Sequence, residues 1–282
     1  MTLDKLYEQY RDENRKLRSP KTDAIYRVAL RQLTAALGRT PTTEDLSDAS
    51  IRSLERFLAS RSPYTINERT GRIKAIWRWC AKKGIVNHWP TLDRLPTHEP
   101  YRRAWTVEQV RTLLAATTSL TGTYGGVSRS LWWNAYLRCL WDTGERSGAA
   151  RAFKWDWLTS DGIHVPSTAR KGHKSAYYRL TPSTRESIER IRAPERPDIF
   201  PWLLSDSSFF LHYGHLLRAA GLPSDSKSKG QRMRRTHLTY WAIAGKDASA
   251  RAQHTSRALT EKFYLDETML PHQDPGDVLP PL

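Results

Sequence analysis

The stretch T-G-E-R-S-G-A-A-R-A-F-K-W, from Thr143 to Trp155, carries more information than any other part of this chain. Two later stretches extend the pattern: Q-R-M-R-R-T-H at 231–237 and Q-H-T-S-R-A-L-T-E-K-F-Y at 253–264. A lysine stands between the first stretch and the second. Five chemically active residues therefore follow one another in a fixed order: Arg146, Lys171, Arg234, His254 and Tyr264.

This set of side chains suits the breaking and resealing of a phosphodiester without a metal. Two guanidinium groups can hold the two non-bridging oxygens of one phosphate through paired hydrogen bonds. An imidazole and an ammonium group can move protons. A phenol can attack phosphorus and keep the bond energy as a covalent ester. The order of residue types thus indicates phosphoryl transfer on DNA.

The residues and their order resemble the tyrosine recombinases, also called the phage integrase family. The sequence motifs of that family are, in order, T-G-x-R-x-x-E-L-x-x-L-x-W, a lysine in a hairpin, H-x-L-R-H-T and L-G-H-x(8)-Y. Trp155 matches the tryptophan that ends the first motif. The resemblance covers almost the whole chain, because the first hundred residues are similar to the family's core-binding domain. It implies a site-specific recombinase or integrase that cuts one strand at a time and keeps the 3′ phosphate on a tyrosine.

The resemblance also assigns roles to individual residues. Tyr264 would be the nucleophile, Arg146 and Arg234 the phosphate ligands, and His254 a partner of the phosphate or of a proton in transit. Lys171 would protonate the leaving 5′ oxygen, since a departing alkoxide needs a proton; Lys174 is its rival, and Arg170 is too weak an acid. Arg232 and Arg235 are alternatives to Arg234 as the second phosphate ligand. The spacing from Gln231 favours Arg234.

The chain departs from the family's motifs at four points, and these departures leave two alternative functions open. Ala149 stands where the family has an acidic residue, Gln231 replaces the first histidine, and Gln253 replaces a glycine. His254 and Tyr264 are ten residues apart, where nine is commoner. The side chain of Gln231 can donate a hydrogen bond but cannot exchange protons near neutral pH. One alternative is therefore a catalytically weakened integrase-like protein that binds DNA, and a weaker one is a type IB topoisomerase.

The implied partner is double-stranded DNA, which several protomers would bind together. The full assembly would be a tetramer on paired sites. The resemblance implies no cofactor, no metal and no membrane. The composition agrees with a DNA partner, because the net charge is +16 and is spread over both halves. Residues 1–103 hold 21 Lys+Arg against 12 Asp+Glu, and the remainder holds 24 against 17, which gives +9 and +7.

Cysteine content and the N-terminal sequence indicate a cytoplasmic protein. The two cysteines, Cys80 and Cys139, form no CxxC or Cys/His cluster, which argues against disulfides and zinc. The first residues, MTLDKLYEQYRDEN, contain no apolar signal-peptide core, and no stretch approaches the length of a membrane span.

The N-terminal part reads as consecutive helices. Ser19-Pro20 begins one helix and Gly38 ends it, residues 47–60 form a second, and a capping box at Thr65–Glu68 opens a third that Gly84 closes. In the third helix the apolar residues share one face, and Arg78 and Lys82 point away from it. This basic face is either a DNA-binding surface or merely solvated. The candidate DNA-binding residues of this helix are Arg69, Arg72, Arg78 and Lys82.

Residues 89–104, with three prolines, predict the interdomain linker. Thr106 and Gln109 cap the next helix, 119–129 reads as a loop, and 131–142 as a buried helix. Strand character follows at 155–181, where Ile163–Val165 and Tyr177–Leu180 can pair, and helices return from Thr181-Pro182.

The expected fold is mainly α with two domains. Residues 1–96 would form a helical core-binding, SAM-like bundle, and 104–270 an α+β catalytic domain with a small antiparallel sheet. Residues 271–282 would form a Pro-rich tail.

Overall fold

The computed structural model describes residues 1–97, 102–170, 174–193, 195–225, 228–253 and 256–271. The chain divides into two compact units, Met1–Glu99 and Pro100–Leu282. Each unit has its own hydrophobic core. The units are therefore considered one at a time.

Unit 1 is a helical bundle whose turn residues begin and end the helices. Ser19 accepts a hydrogen bond from the Thr22 amide, and Gly38 ends the same helix at φ 68°, a left-handed conformation that glycine adopts without strain. Both of these predicted boundaries are confirmed. The helices are α1 (Leu3–Glu13), α2 (Pro20–Leu37), α3 (Asp48–Phe57) and α4 (Pro63–Lys82).

The start of α4 differs from the prediction. The helix begins at Pro63, and its N-cap is Ser62, whose hydroxyl accepts from the Thr65 amide at 3.3 Å. The capping box predicted at Thr65–Glu68 is therefore wrong, since those residues already lie inside the helix. Asn67 instead exchanges two hydrogen bonds with the backbone of Leu95, at 2.7 and 2.8 Å.

Most of the predicted linker is bound to the units that it joins. The Lys74 ammonium donates to the Leu92 carbonyl at 2.8 Å, and the Trp77 indole donates to the His88 carbonyl at 2.8 Å. On the other side, Ala104 and Trp105 are buried in unit 2. The proline-rich stretch has no helix or strand where it is described, as expected, but side chains hold it at both ends.

Unit 2 surrounds a buried helix with shorter helices and two small β-ribbons. Its helices are α5 (Val107–Ala116), α6 (Arg129–Thr143), α7 (Ser147–Arg151), α8 (Pro182–Glu189), α9 (Asp206–Ala219), α10 (Arg232–Ile243), α11 (Ala248–Ala252) and α12 (Arg257–Tyr264). The strands are β1 (Thr123–Tyr124), β2 (Val127–Ser128), β3 (Gly162–Val165) and β4 (Ala176–Arg179). The capping box at Thr106 and Gln109 is confirmed.

The predicted pairing in the 155–181 region is confirmed. Strands β3 and β4 are antiparallel, with Ile163 opposite Tyr178 and Val165 opposite Ala176. The predicted loop at 119–129 needs correction, because it contains the β1–β2 ribbon. Gly125 and Gly126, at φ 51° and 81°, form its turn, and Arg129 already belongs to α6.

Helix α6 lies at the centre of unit 2, as its large apolar side chains predict. Trp132, Trp133 and Tyr136 are almost fully buried and pack against Phe200 and Phe209. The end of α6 carries the Thr143–Arg146 motif, so the best-packed element of the unit positions the candidate site.

Three expected absences can be compared with the described residues. Both cysteines are free thiols and buried. None of the described helices has the length and apolar character needed to cross a membrane. Within the same residues, no group of three or more His, Cys, Asp or Glu side chains is arranged to hold a metal ion.

Candidate phosphate-binding site

Arg234 stands at the centre of the candidate site. It lies in the first turn of α10 and its side chain is only 2% exposed. One terminal nitrogen of the guanidinium donates to the Gly144 carbonyl at 2.8 Å, and the other donates to the Ala252 carbonyl at 3.0 Å. Arg234 therefore connects its own stretch to the first one, 90 residues earlier, and to the residue that directly precedes the third.

Tyr264 lies beside this arginine. It is the last residue of α12, and its ring centroid is 5.3 Å from the central carbon of the Arg234 guanidinium. The ring packs on a small cluster formed by Leu238, Ala248 and Ala252. The structure thus brings the predicted nucleophile to the predicted phosphate ligand.

Arg146 completes a pair of arginines. It directly precedes α7, is half-buried, and lies close enough to Arg234 for the two charges to interact. Burial first, and then the charge of Arg146, lower the pKa of Arg234 below its ordinary value. Because two like charges repel each other, an anion bound between them would be strongly stabilised.

The structure explains why the second residue of the T-G-E-R motif is glycine. Gly144 ends α6 at φ 62°, and a Cβ at this position would lie 2.3 Å from the His237 ring. No side chain fits there. The motif therefore allows α10 to approach the end of α6 closely enough for Arg234 to reach the Gly144 carbonyl.

His237 is held in one neutral form. Its Nδ1 is 2.7 Å from the Trp141 carbonyl, which can only accept, and its Nε2 is 3.0 Å from Nε of Arg251, which can only donate. The proton must therefore be on Nδ1. Burial and the charge of Arg251 lower the pKa of His237 to about 4, in agreement with this neutral form.

Sequence reasoning missed Glu145. This carboxylate is 2% exposed and accepts hydrogen bonds from Arg170 at 2.6 Å, from the Tyr178 hydroxyl at 2.7 Å and from the Arg146 amide at 2.9 Å. Burial raises its pKa, but the Tyr178 hydrogen bond and the charge of Arg170 outweigh burial, so the pKa lies below its ordinary value. An acidic residue directly after an apolar helix and beside an arginine was the signal for a buried ion pair.

Arg232 and Arg235 were the alternatives to Arg234, and Arg170 was an alternative to Lys171; the structure gives each of them other surroundings. Arg232 lies over the Trp105 ring at 3.4 Å and donates to the Ala104 carbonyl, so it anchors the start of unit 2. Arg235 is buried, and the charge of Arg102 is among the influences that lower its pKa, after burial. Arg170 serves Glu145.

Of the other predicted catalytic residues, the structure describes only Gln231. Gln231 is exposed at the N-cap of α10, and its side chain makes no capping hydrogen bond. Lys171 and His254 lie outside the described residues, as does the predicted tail beyond Pro271. Ala149 lies inside α7, so no carboxylate occupies that position.

The four candidate DNA-binding residues of α4 do not form one face. Arg78 and Lys82 are exposed on the side away from the core, as predicted. Arg69 contacts Glu68 at 2.9 Å, and Arg72 lies over the Tyr26 ring. Arg69 and Arg78 are nine residues, or about two and a half helical turns, apart, which places them on opposite sides of the helix.

Solved structures of integrases have the same fold as this chain. Lambda integrase, crystallised as a dimer bound to a COC′ core site, gives a TM-score of 0.72 at 15% identity and covers 97% of this chain and 99% of its own. The Tn1549 transposon integrase in complex with transposon right end DNA gives 0.68 at 13%, covering 97% and 96%. The XerH site-specific recombinase bound to palindromic difH substrate gives 0.60 at 11%, covering 81% and 67%.

These comparisons confirm the predicted fold class: mainly α, with a helical bundle and an α+β unit that contains only small antiparallel sheets. No protein-family model and no curated protein sequence matches the chain.

Proposed function

We propose that this protein is a site-specific DNA recombinase or integrase that breaks and rejoins DNA strands through a covalent 3′-phosphotyrosine. One observation carries the proposal. Arg146, Arg234 and Tyr264 come from three distant stretches of the chain, yet they meet around one buried guanidinium. The fold shared with integrases supports the same conclusion.

The proposed step is an exchange of one phosphate ester for another. The Tyr264 hydroxyl gives up its proton to His254 or to water as its oxygen attacks phosphorus and forms a new P–O bond. The bond from phosphorus to the 5′ oxygen breaks in the same step, and that oxygen takes up a proton. Arg146 and Arg234 bind the non-bridging oxygens and stabilise the charge that builds up on them. Attack by a 5′ hydroxyl on the phosphotyrosine reverses these events and reseals a strand.

The remaining roles follow from the resemblance and belong to the proposal. Lys171 would supply the proton to the 5′ oxygen, His254 would contact the phosphate or a proton in transit, and Gln231 would donate a hydrogen bond. No step calls for a metal or a cofactor. Exposed Arg78 and Lys82 are the best candidates on α4 for contacts with DNA phosphates, with Arg69 and Arg72 at the edge of the buried face.

Assembly is part of the same proposal. Lambda integrase has been crystallised as a dimer on a core site and as a tetramer on a Holliday junction. We expect several protomers of this chain to act together on paired duplex sites. The protein would act in the compartment that contains its DNA.

A second candidate function is DNA binding with weakened catalysis. Gln231 cannot act as a proton acceptor, and it lies exposed at the start of α10 with no capping hydrogen bond from its side chain. If the family's histidine at this position mainly transfers a proton, cleavage would lose part of an effect worth about 10²–10⁴ in rate. The adduct experiment below separates the two functions.

The test is to trap the protein on short nicked duplexes of randomised sequence. Cleavage near the nick releases a short fragment that carries the 5′ hydroxyl, so the strand cannot be resealed and the covalent adduct accumulates. We expect the wild-type chain to form a covalent adduct in the presence of EDTA. Tyr264→Phe should form none and still bind DNA, because it lacks only the attacking oxygen. Tyr177→Phe, at an exposed tyrosine of the same unit, is the matched control.

Sequencing the trapped strands would also reveal the preferred site. An adduct that persists in Tyr264→Phe would assign the nucleophile to another residue. Binding without any adduct from the wild-type chain would favour the second candidate function.

A further inference from the structure

A mostly buried polar network adjoins the backbone of Arg146 and takes no part in the proposed chemistry. Its centre is Arg170, which donates to Glu145 at 2.6 Å, to the Tyr178 hydroxyl at 3.1 Å and to the side-chain oxygen of Gln253. Gln253 in turn donates to the Ser175 carbonyl at 3.0 Å. The network thus connects the motif glutamate, the β3–β4 region and the residue that follows α11.

Gln253 adopts an unusual backbone conformation. It ends α11 at φ 53°, ψ 39°, and it is the only residue other than glycine with a positive φ in the described part of the chain. Glycine adopts this conformation without strain, whereas other residues do so at a cost. A glutamine here therefore needs a compensating role, and its two side-chain hydrogen bonds offer one.

The hydrogen bonds form a continuous path from Gln253 to Arg146. The amide oxygen of Gln253 accepts from Arg170, Arg170 donates to one carboxylate oxygen of Glu145, and the other carboxylate oxygen accepts from the Arg146 amide at 2.9 Å. Arg170, Glu145 and Arg146 are buried or half-buried, whereas Gln253 is exposed at the end of the path. The path connects the Gln253 side chain to the backbone that carries the Arg146 guanidinium.

Arg170 also organises the chain around itself. It donates to the Lys174 carbonyl at 3.1 Å, and Gln253 binds the next carbonyl, that of Ser175. The start of β4 is consequently tied to the end of α11 by side chains. Since Arg234 holds the Ala252 carbonyl, the two sets of contacts meet at 252–253.

We propose that Gln253 is a positioning residue for strand cleavage: through Arg170 and Glu145 it fixes the backbone of Arg146 and so aims that guanidinium at the phosphate. The inference rests on the proposed function for its consequence in catalysis. It does not make Gln253 a catalytic residue, because the amide contacts the network and not the reacting atoms.

Gln253→Gly is the decisive variant. Glycine keeps the left-handed backbone without strain and removes the whole side chain, so the relief of strain offsets part of the two lost hydrogen bonds and the melting temperature should change little. If Gln253 positions Arg146, the single-turnover cleavage rate on the nicked duplexes should fall about 10- to 100-fold, the scale of a small misplacement of a catalytic group. The Kd for the uncleaved duplex should stay unchanged. Cleavage at the wild-type rate would overturn the proposal.

A second measurement does not depend on cleavage. Amide hydrogen exchange of the segment 145–151 should be faster in Gln253→Gly than in the wild-type chain, because the Glu145 carboxylate that accepts from the Arg146 amide is then held less firmly by Arg170. Equal exchange would overturn the positioning path. Faster exchange combined with a wild-type chain that forms no adduct would uphold the path and reject the proposed function, so the two failures are distinguishable.

Glu145→Gln tests whether the residues act along one path. It keeps the shape of the side chain and removes the charge that holds Arg170. If Gln253 acts through Glu145, the double variant should cleave no more slowly than the slower single variant. Losses that multiply in the double variant would show separate roles and contradict the path.

Discussion

Arg234 serves the fold and the proposed chemistry with one side chain. Its two carbonyl contacts hold the end of α6 and the end of α11 together, and its charged face lies beside Tyr264. Loss of cleavage in an Arg234 variant would therefore mix a structural effect with a catalytic one. Arg146, which makes fewer contacts, is the better residue for measuring the contribution of a phosphate ligand alone.

His237 gives the candidate site a predictable pH dependence. Its pKa is lowered to about 4 in the folded protein, against about 6.5 in an unfolded chain. Between these values the unfolded chain binds the proton and the folded chain does not. Folding stability should consequently fall as the pH falls from about 6.5 towards 4.

The measurement compares the wild-type chain with His237→Gln, which cannot titrate, in urea unfolding at pH 7 and pH 5. The wild-type chain should lose about 2 kcal/mol more than the variant over this range. Carboxylates titrate in both proteins, so their effect cancels in the difference. Equal losses would mean that folding does not lower the pKa of His237, against the neutral form that its two contacts indicate.

The sequence favoured one arginine of three, and its surroundings could not be predicted. Spacing to Gln231 favoured Arg234 over Arg232 and Arg235, and the contact with Tyr264 agrees with that choice. The Glu145–Arg170 pair was not predicted, because it depends on how the chain folds back over 25 residues between α6 and β4. Local patterns do not contain that information.

At the scale of elements, a serine or threonine before proline correctly marked two helix starts, although not every such pair begins a helix, since Thr40-Pro41 does not. Ser19-Pro20 and Thr181-Pro182 both begin helices, and Ser62-Pro63 carries the same signal. The capping box at Thr65–Glu68 was a competing pattern three residues later. Proline at the first helical position was the better guide, since its fixed φ suits a helix start and its missing N–H costs nothing there.

The start of α4 can be tested with three substitutions. Ser62→Ala removes the acceptor for the Thr65 amide and should lower the free energy of unfolding of unit 1 by about 1 kcal/mol. Thr65→Ala should cost much less. Ser60→Ala, at an exposed neighbouring position, is the control. A larger loss for Thr65→Ala than for Ser62→Ala would restore the sequence-based start.

The β1–β2 ribbon shows the limit of pattern reading at this scale. Each strand has only two residues, too few for an alternating pattern, and the segment is rich in the residues typical of loops. Its order comes from tertiary contacts, since Tyr124 packs against Trp132 and Trp202 in the core. The longer β3–β4 ribbon was predictable because each strand has four residues.

At the scale of the whole molecule, both units are basic: residues 1–99 hold 19 Lys+Arg against 12 Asp+Glu (+7), and residues 100–282 hold 26 against 17 (+9). We expect DNA affinity to depend steeply on salt. If six to ten phosphates are neutralised, the affinity should fall about 10³–10⁵-fold between 50 and 200 mM salt. Fluorescence anisotropy with a labelled duplex measures this slope.

Fragments of the chain show how much each unit contributes to the salt dependence of DNA affinity. Residues 1–97 and 102–282 should each bind more weakly than the full chain and with a shallower slope, because each meets only some of the phosphates. If 102–282 matches the full chain in affinity and slope, unit 1 contributes no phosphate contacts. Arg78 and Lys82 would then be merely solvated.

The carbonyl contacts of Arg234 also have a consequence for how quickly and how tightly substrate can be engaged. An arginine side chain has about 2 kcal/mol of rotamer entropy. Here most of that freedom is lost when the chain folds, because two backbone acceptors already hold the guanidinium. An arriving phosphate therefore meets a preorganised ligand and does not have to bear that entropic penalty at the moment of binding.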